Sequence, residues 1–238
     1  MNYKEINKAI IKEVYFIMKE HDFLSDSDKY GTTFYKKNQY IYISFGYSLR
    51  EDKNPDIFEN NTYSKNWLDI AFPEIEKIIH PILSRNSLFG QSITYDEVYS
   101  TFSVPVKFKN QVLEKKMKIA NEQDVIDVSD LLIKFFREDA LPYFEHWNNL
   151  TVLYDYIKGL SDDDLWDILG QFLPMKKAII YRLCNDESAL KLIEDYYEDQ
   201  KKYYEEDSKD IDNIRYYNAS KELKEILEKT LPIYNVEV

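Results

Sequence analysis

Strand-like patterns are confined to the first half of this sequence, and that partition constrains the fold more than any other feature. Residues 33–36 and 40–45 are rich in aromatic and β-branched residues and flank a short polar segment at 37–39, which predicts a β-hairpin. Polar segments at 25–31 and 50–61 predict a turn and a loop. The remaining strand candidates are residues 67–72, 98–109 and 116–119.

Helical periodicity appears on both sides of these strands. Apolar residues recur at three- and four-residue steps over residues 3–21, which predicts an amphipathic first helix. Pro73 and Pro81 predict the start and the end of a short second helix. Residues 122–147 again follow helical spacing, and Pro142 is expected to kink or end that helix.

The rest of the sequence carries helical signals only. Ser161 followed by Asp164 is typical of a capping box at a helix start. Pro174 suits the first position of the next helix, and Asn185 is expected to cap a long helix after that. A last helix is expected over about residues 209–230.

The sequence therefore predicts an α+β fold. An N-terminal helix, an antiparallel β-meander and a closing helix form residues 1–147, and an all-helical C-terminal segment forms an acidic domain over residues 148–238. Charge supports this division, because residues 151–238 hold 20 acidic and 12 basic residues, a net charge of −8 out of −12 for the whole chain.

The excess of acidic over basic residues limits the classes of partner that the chain is expected to bind. The chain has 43 acidic and 31 basic residues, so its field repels nucleic acid and favours a basic protein partner. Two plainer explanations stay open. Net charge alone keeps a protein soluble, and the 21 tyrosines are also what an AT-rich genome would encode.

Location is predicted from three features. The first ten residues carry charges where a secretion signal needs apolar residues. No apolar run is long enough for a membrane span, so no membrane association is expected. The single cysteine, Cys184, fits a reducing compartment, and the cytoplasm is the expected location.

Familiar catalytic and cofactor motifs are missing from the sequence. Its five glycines form no nucleotide-binding loop, and no cofactor is expected. His21, His80 and His146 are widely spaced and expected at the surface or at helix ends. Cys184 lies in an apolar helical segment and is expected to be a small core residue. No catalytic, cofactor-binding or metal-binding residue is therefore predicted.

Two acidic segments resemble cation sites but are better explained as local structure. Residues 26–31 start like an EF-hand loop, but Lys37 stands where a bidentate Glu is needed, so a turn is expected. Asp162, Asp163 and Asp164 point in different directions on a helix. They are expected to favour the helix N-terminus rather than to bind an ion.

The strongest candidate interaction surface is the acidic helix predicted from about residue 186 to residue 207. Leu190, Ile193 and one tyrosine of each adjacent pair are expected to face inward. The acids should face water without enough internal partners. A buried face in which Tyr replaces Leu is the alternative. The predicted partner-binding residues are Glu194, Asp195, Tyr197, Glu198, Asp199, Tyr204, Glu205 and Glu206.

Several short aromatic motifs resemble a bacterial domain family of unknown function. They are Asp22-Phe23 at the end of the first helix, residues 33–38, and residues 140–144 shortly before Leu150, and the resemblance covers about residues 1–157. Members pair an N-terminal helix with an antiparallel meander, usually with Gly where Asp22 stands. They are often encoded near polymorphic toxins and immunity proteins, which implies an interaction or immunity role and no catalytic residues.

These observations favour a cytoplasmic protein-binding module, in particular an immunity-type antagonist of a basic toxin or effector. A hydrolase with a dispersed carboxylate-based site is one alternative. A regulatory or structural scaffold is another. A deep pocket that gathers carboxylates and a histidine would favour the hydrolase, whereas a broad acidic face would favour the binding module.

Overall fold

The protein is α+β, as the sequence predicts, and its helices and strands form two compact units. The computed structural model describes residues 3–28, 31–50, 62–89, 100–104, 110 and 117–235. The predicted division into domains 1–147 and 148–238 stays a prediction. Unit 1 comprises Met1–Asn38, Tyr42–Ile70 and Val106–His146, and unit 2 comprises Gln39–Ile41, Ala71–Pro105 and Trp147–Val238.

A five-stranded sheet orders its strands as they occur in the chain, so it is a meander. The first and second strands pair antiparallel, with Ser25 opposite Phe34. The second and third strands also pair antiparallel, with Phe34 opposite Phe45. Alternate side chains of the central strands therefore face the core. The strands are β1 Leu24–Ser27, β2 Gly31–Lys37, β3 Tyr42–Arg50, β4 Thr62–Ala71 and β5 Met117–Lys118.

The predicted hairpin is confirmed, with its loop at residues 38–41 rather than 37–39. The predicted turn over 25–31 is wrong in part, because residues 24–27 form β1. All four side chains of β1 are exposed, so no apolar alternation marked this edge strand in the sequence. Gly31 is required by close packing, because a Cβ there would lie 2.0 Å from the Tyr47 carbonyl oxygen.

Some strand predictions fall largely outside the described residues. Residues 90–99, 105–109 and 111–116 lie outside them, as does most of the loop predicted at 50–61. Within residues 100–104, Phe102 forms only an isolated β-bridge, so a regular strand is not present there.

Unit 1 packs its helices around a cluster of phenylalanines. The first helix, α1 (Tyr3–Glu20), contacts α3 (Glu122–Phe135) and β2. Its apolar stripe is almost completely buried, as the sequence predicts. The rings of Phe45 and Phe136 stack with centroids 5.1 Å apart. The clustered residues are Phe23, Phe34, Phe45, Phe135, Phe136 and Phe144.

The helix predicted over residues 122–147 is interrupted by a π-helical segment. After α3, residues Phe136–Ala140 form the π segment, and α4 (Leu141–His146) follows. The Leu141 N–H donates to the Phe136 carbonyl, five residues back. Pro142 has no N–H to donate, and the wider π turn before it accommodates this loss, so the helical path continues through Pro142 as α4 rather than ending there.

Helices make up most of unit 2, and α7 is its central element. It contacts each of the unit's other α-helices. Pro81 lies inside α2, so the prediction that this helix ends before Pro81 is wrong. Ile82 and Leu83 beyond it are buried, and their burial offsets the missing hydrogen bond. The helices are α2 Pro73–Arg85, α5 Leu150–Ile157, α6 Asp162–Leu169, α7 Leu173–Leu183, α8 Ala189–Glu206 and α9 Ile211–Lys229, with a 3₁₀ turn at Gly170–Phe172.

Three helices end in a left-handed residue that is not glycine. Asp22, Ser87 and Asn185 have φ angles of 61°, 55° and 61°. The N–H groups of each left-handed residue and of the residue after it donate back into the last helical turn, which is the Schellman motif. Asn185 therefore ends α7, and the prediction that it caps α8 is wrong.

Other predicted helix boundaries hold. The Ser161 side chain accepts a hydrogen bond from the Asp164 N–H at the start of α6. Pro174 lies in the first turn of α7. The last helix, α9, falls within the predicted range.

Candidate functional site

The predicted interaction helix, α8, forms a helical hairpin with α9 and also packs on α7. Ala189 and Ile193 are its only fully buried residues. The predicted inward position of Leu190 is wrong, because that side chain is 40% exposed. An apolar stripe this short cannot hold an 18-residue helix by itself, so other contacts contribute.

Stacked tyrosines supply much of the missing contact. Tyr197 and Tyr204 of α8 both stack on Tyr217 of α9, with ring centroids 5.8 and 4.8 Å apart. Tyr203 instead points outward and is 54% exposed. Thus one tyrosine of the second pair faces α9 and the other faces solvent. The role of Tyr197 and Tyr204 in partner binding stays a prediction, since each already uses one ring face within the hairpin.

Lysines neutralise most of the acids at the centre of α8. Glu194 pairs with Lys224 of α9 at 3.1 Å. The expectation that the acids lack internal partners is therefore wrong for four of the six. The remaining three pairs lie within α8 and join Asp195 to Lys191, Glu198 to Lys201 and Asp199 to Lys202.

The C-terminal end of α8 is different. Glu205 and Glu206 are exposed and form no ion pair within the described part of the chain. Asp207 follows them as the C-cap, and the last turn holds no basic residue. A helix C-terminus carries a partial negative charge, so these acids oppose the dipole. Five other helices, α1, α2, α3, α7 and α9, place a Lys or Arg there.

A second site candidate is a buried polar cluster in unit 2, which sequence reasoning missed. The Thr101 hydroxyl donates to Glu76 Oε1 at 2.6 Å, and His80 Nε2 lies 3.7 Å from Glu76 Oε2. The Lys176 ammonium donates to the carbonyls of Thr101 and Leu169, at 2.8 and 3.0 Å. Helices α2 and α7 thus bring an acid and two bases together inside the unit.

Burial shifts the pKa of each ionisable group in this cluster. It raises the pKa of Glu76, and it lowers the pKa of Lys176. The pKa of His80 is lowered by burial and then by the nearby Lys176 charge. The prediction of a surface or helix-end position is wrong for His80, whose side chain is 7% exposed. Its four-residue spacing from Glu76 was the available signal, since it puts both on the apolar face of α2.

Cys184 is a core residue, as predicted. Its side chain is completely buried, and burial raises the pKa of the thiol to about 12. An enclosed thiol with a raised pKa holds little thiolate at neutral pH, which argues for the core role and against the nucleophilic one.

The two acidic segments that resemble cation sites form local structure instead. Asp28 accepts a hydrogen bond from the Gly31 N–H, and Asp26 accepts one from the Ser27 N–H. Asp162 pairs with Lys177 at 2.9 Å. Among the described residues, no three His, Cys, Asp or Glu side chains are grouped to hold a metal ion. The expectation of no cofactor stays a prediction.

Comparison with known proteins identified no relative of this chain. No family model matches the chain, and no curated protein or solved structure matches it either. The resemblance to a family found near toxin and immunity genes therefore stays a prediction. Of the helices that the structure describes, none is long and apolar enough to cross a membrane.

Proposed function

We propose that this chain is a protein-binding module that captures a basic protein partner through the C-terminal end of α8. An immunity-type antagonist of a basic toxin or effector is the specific form proposed. The observation that carries the proposal is the acidic terminus of α8, formed by Glu205, Glu206 and Asp207. Glu205 and Glu206 form no ion pair among the described residues, and Asp207 accepts a hydrogen bond from the Lys209 N–H. These charges oppose the helix dipole and make the helix less stable, so a use outside the chain accounts for them.

The geometry of the hairpin supports this role. Tyr203 lies one turn before the acidic terminus and exposes a large part of its ring. Tyrosine beside unpaired carboxylates gives a basic partner both contact area and charge complementarity. The tyrosine stack on Tyr217 holds this end of α8 against α9, which fixes the surface before a partner arrives. Electrostatic attraction would then act mainly on the rate of association.

The partner can be found by site-specific photocrosslinking. A photoreactive phenylalanine analogue at Tyr203 should capture one basic protein in the native cells. The same analogue at Tyr156, which is 41% exposed on α5, is the matched control and should not capture it. Equal capture from both positions would contradict a dedicated surface on α8.

A charge-reversal pair then tests the acidic terminus with the captured partner. Glu205→Lys/Glu206→Lys should slow association about tenfold at low salt and less at high salt. The control Asp130→Lys/Glu145→Lys changes net charge equally, at exposed positions on α3 and α4. If both variants slow association equally, the overall field matters and the acidic terminus does not.

The hydrolase alternative is favoured by one observation, the cluster of Glu76, His80 and Lys176. These are residue types that serve as catalytic acids and bases, with pKa values shifted by burial. The Glu76 and His80 side chains are only 13% and 7% exposed, so a substrate would need an opening. Turnover of a chromogenic ester, phosphoester or glycoside that Glu76→Gln abolishes would support this alternative over the binding module.

A further inference from the structure

The exposed face of α1 carries a row of lysines that is unusual in so acidic a chain. Lys4, Lys8 and Lys12 are four residues apart and therefore lie on one face of the helix. Lys19 continues the row seven residues further on. All four are exposed, and none forms an ion pair with an acid of the described residues. The lysines of α8 differ, because Lys191, Lys201 and Lys202 all pair with acids of the same helix.

Aromatic side chains lie beside this row. Tyr15 is 56% exposed and Phe16 is 79% exposed. The Lys19 ammonium lies 5.7 Å from the centroid of the Tyr15 ring. Of the acids of α1, Glu13 and Glu20 directly follow Lys12 and Lys19 and so lie about 100° further around the helix, outside the row. Glu5 lies at the edge of the row, three residues before Lys8.

A groove of about 410 Å³ adjoins the C-terminal half of this face. Ile11, Tyr15 and Met18 form its α1 wall, Leu24 and Phe34 of the sheet form the other side, and Lys19 contributes the cationic group. This volume is enough for a large side chain from another molecule. The groove and the lysine row thus form one surface, which we call the α1 face: Lys4, Lys8, Lys12, Lys19, Tyr15 and the groove beside them.

We propose that the α1 face binds an acidic peptide segment of another protein, one that carries a bulky apolar side chain flanked by carboxylates. Along α1, Lys8 and Lys12 each lie about 6 Å beyond the preceding lysine of the row. That spacing matches carboxylates on alternate residues of an extended peptide or four residues apart on a helix. The apolar side chain enters the groove and fixes the register of the peptide. This surface belongs to unit 1 and is separate from the basic-partner surface proposed for α8.

The concave groove favours a peptide over a membrane surface as the occupant of the α1 face. A bilayer of anionic lipids would meet the lysines and Phe16, but it offers no single projecting side chain to fill a pocket. A peptide satisfies both the lysines and the groove. A second copy of the chain could also offer acids, from α8, and the experiment measures this separately.

The test uses the full chain and a fluorescein-labelled synthetic peptide in which a central Leu is flanked on both sides by alternating Glu and Ser. Saturable binding is expected by fluorescence anisotropy. Lys8→Glu/Lys12→Glu should weaken it about tenfold or more at low salt. Lys191→Glu/Lys202→Glu is the matched control, with the same change of net charge, and should weaken it by less than about twofold. Circular dichroism establishes that both variants are folded.

Two further measurements address the groove and the other occupants. Replacing the central Leu of the peptide by Ser should weaken binding about fivefold or more, as should Tyr15→Ala. The proposal is overturned if the peptide does not saturate, if both charge variants lose binding equally, or if the Leu and Ser peptides bind alike. It is also overturned if vesicles of equal parts phosphatidylserine and phosphatidylcholine bind the protein more tightly than the peptide does. Finally, it is overturned if sedimentation shows that the protein self-associates and that Lys8→Glu/Lys12→Glu abolishes this self-association.

Discussion

Helices α1 and α8 have the same length, 18 residues, yet they are held in the fold by different interactions. Ile6, Ile10, Val14, Ile17 and Met18 anchor α1, and each is at most 5% exposed. Only Ala189 and Ile193 are fully buried in α8, which depends on tyrosine stacking and ion pairs as well. Because the aliphatic stripe of α1 is enough to hold that helix, the charges on its opposite face need no partners. In α8, by contrast, many of the charged side chains form the ion pairs that help to stabilise the helix.

The interiors of the two units differ in the same sense. Around α1 the large buried side chains are mostly phenylalanines, which do not titrate. Around α7, the neighbour of α8, burial includes the ionisable Glu76, His80 and Lys176. Unit 1 also holds a buried Asp139 and an Asp69 whose pKa is raised by burial, so the difference lies in the buried histidine and lysine of unit 2. The stability of unit 2 should therefore respond more to a change of pH near 6.5, the ordinary pKa of histidine.

The largest effect should come from the aliphatic anchor of α1. Ile10 is fully buried, and Ile10→Ala should lower the free energy of unfolding by about 3–4 kcal/mol through lost burial and the cavity left behind. Phe16→Ala, on the exposed face of the same helix, should change it by less than about 0.5 kcal/mol. Urea denaturation measures both. A loss below about 1 kcal/mol for Ile10→Ala would mean that α1 is not anchored as described.

A smaller loss is expected from the tyrosine stack of α8. Tyr217→Leu keeps an apolar side chain but removes both ring stacks, and should cost about 1–2 kcal/mol. Tyr203→Leu changes the same residue type at an exposed position and should cost less than about 0.5 kcal/mol. Equal losses from the two variants would show that stacking does not hold the hairpin.

The pH dependence should separate the two interiors. Because the folded-state pKa of His80 is lowered, the folded protein binds this proton more weakly than the unfolded chain does. Stability should therefore fall as the pH drops through about 6.5, the ordinary pKa of histidine, towards the folded value. The raised pKa of Glu76 acts in the opposite direction nearer pH 4.5. Urea midpoints at pH 7.5 and 5.5 measure the effect, and His80→Phe should reduce it.

Helix ends offer a gain in stability. Ser87 ends α2 in the left-handed region, where glycine has no Cβ penalty. Ser87→Gly should raise the free energy of unfolding by about 0.5–1 kcal/mol. Ser84→Gly, three residues earlier inside the helix, should lower it by a similar amount. A loss at both positions would contradict the strain assigned to Ser87.

The smallest expected change concerns the acidic terminus of α8. Glu205→Lys/Glu206→Lys should raise the free energy of unfolding by about 0.3–1 kcal/mol, since lysine favours the negative end of the helix dipole. Added salt should reduce the gain by screening. A loss of stability in thermal melts would show that these acids have a structural role and would remove the argument for an outside partner.

The same comparison explains which features could be predicted from sequence. The aliphatic stripe of α1 predicted its buried face, because Ile, Val and Met have little reason to be exposed. Tyrosine can be buried or exposed, so the pattern of α8 left Tyr197 and Tyr203 undetermined and gave Leu190 the wrong side. Strand β1 was not predicted because its side chains are all exposed. An edge strand held by backbone pairing needs no alternation of apolar residues, so the sequence carried no strand pattern there.

Other errors came from long-range contacts and from local choices with two outcomes. Glu76, Thr101 and Lys176 are 25 to 100 residues apart, and no local pattern predicts that the fold joins them. Asn suits both the start of a helix and its left-handed end, and at Asn185 the second use prevails. Pro81 is tolerated within α2 because burial on both sides outweighs one missing hydrogen bond.

The location of Cys184 makes it a natural probe of local opening in unit 2. It is the chain's single cysteine, it lies at the end of α7, and its side chain is completely enclosed. A thiol reagent can reach it only when the structure around the end of α7 opens, so the labelling rate reports how often that part of unit 2 opens. Unit 1 contains no cysteine, so the label is placed in unit 2 alone. Comparing labelling with overall unfolding would show whether unit 2 opens by itself.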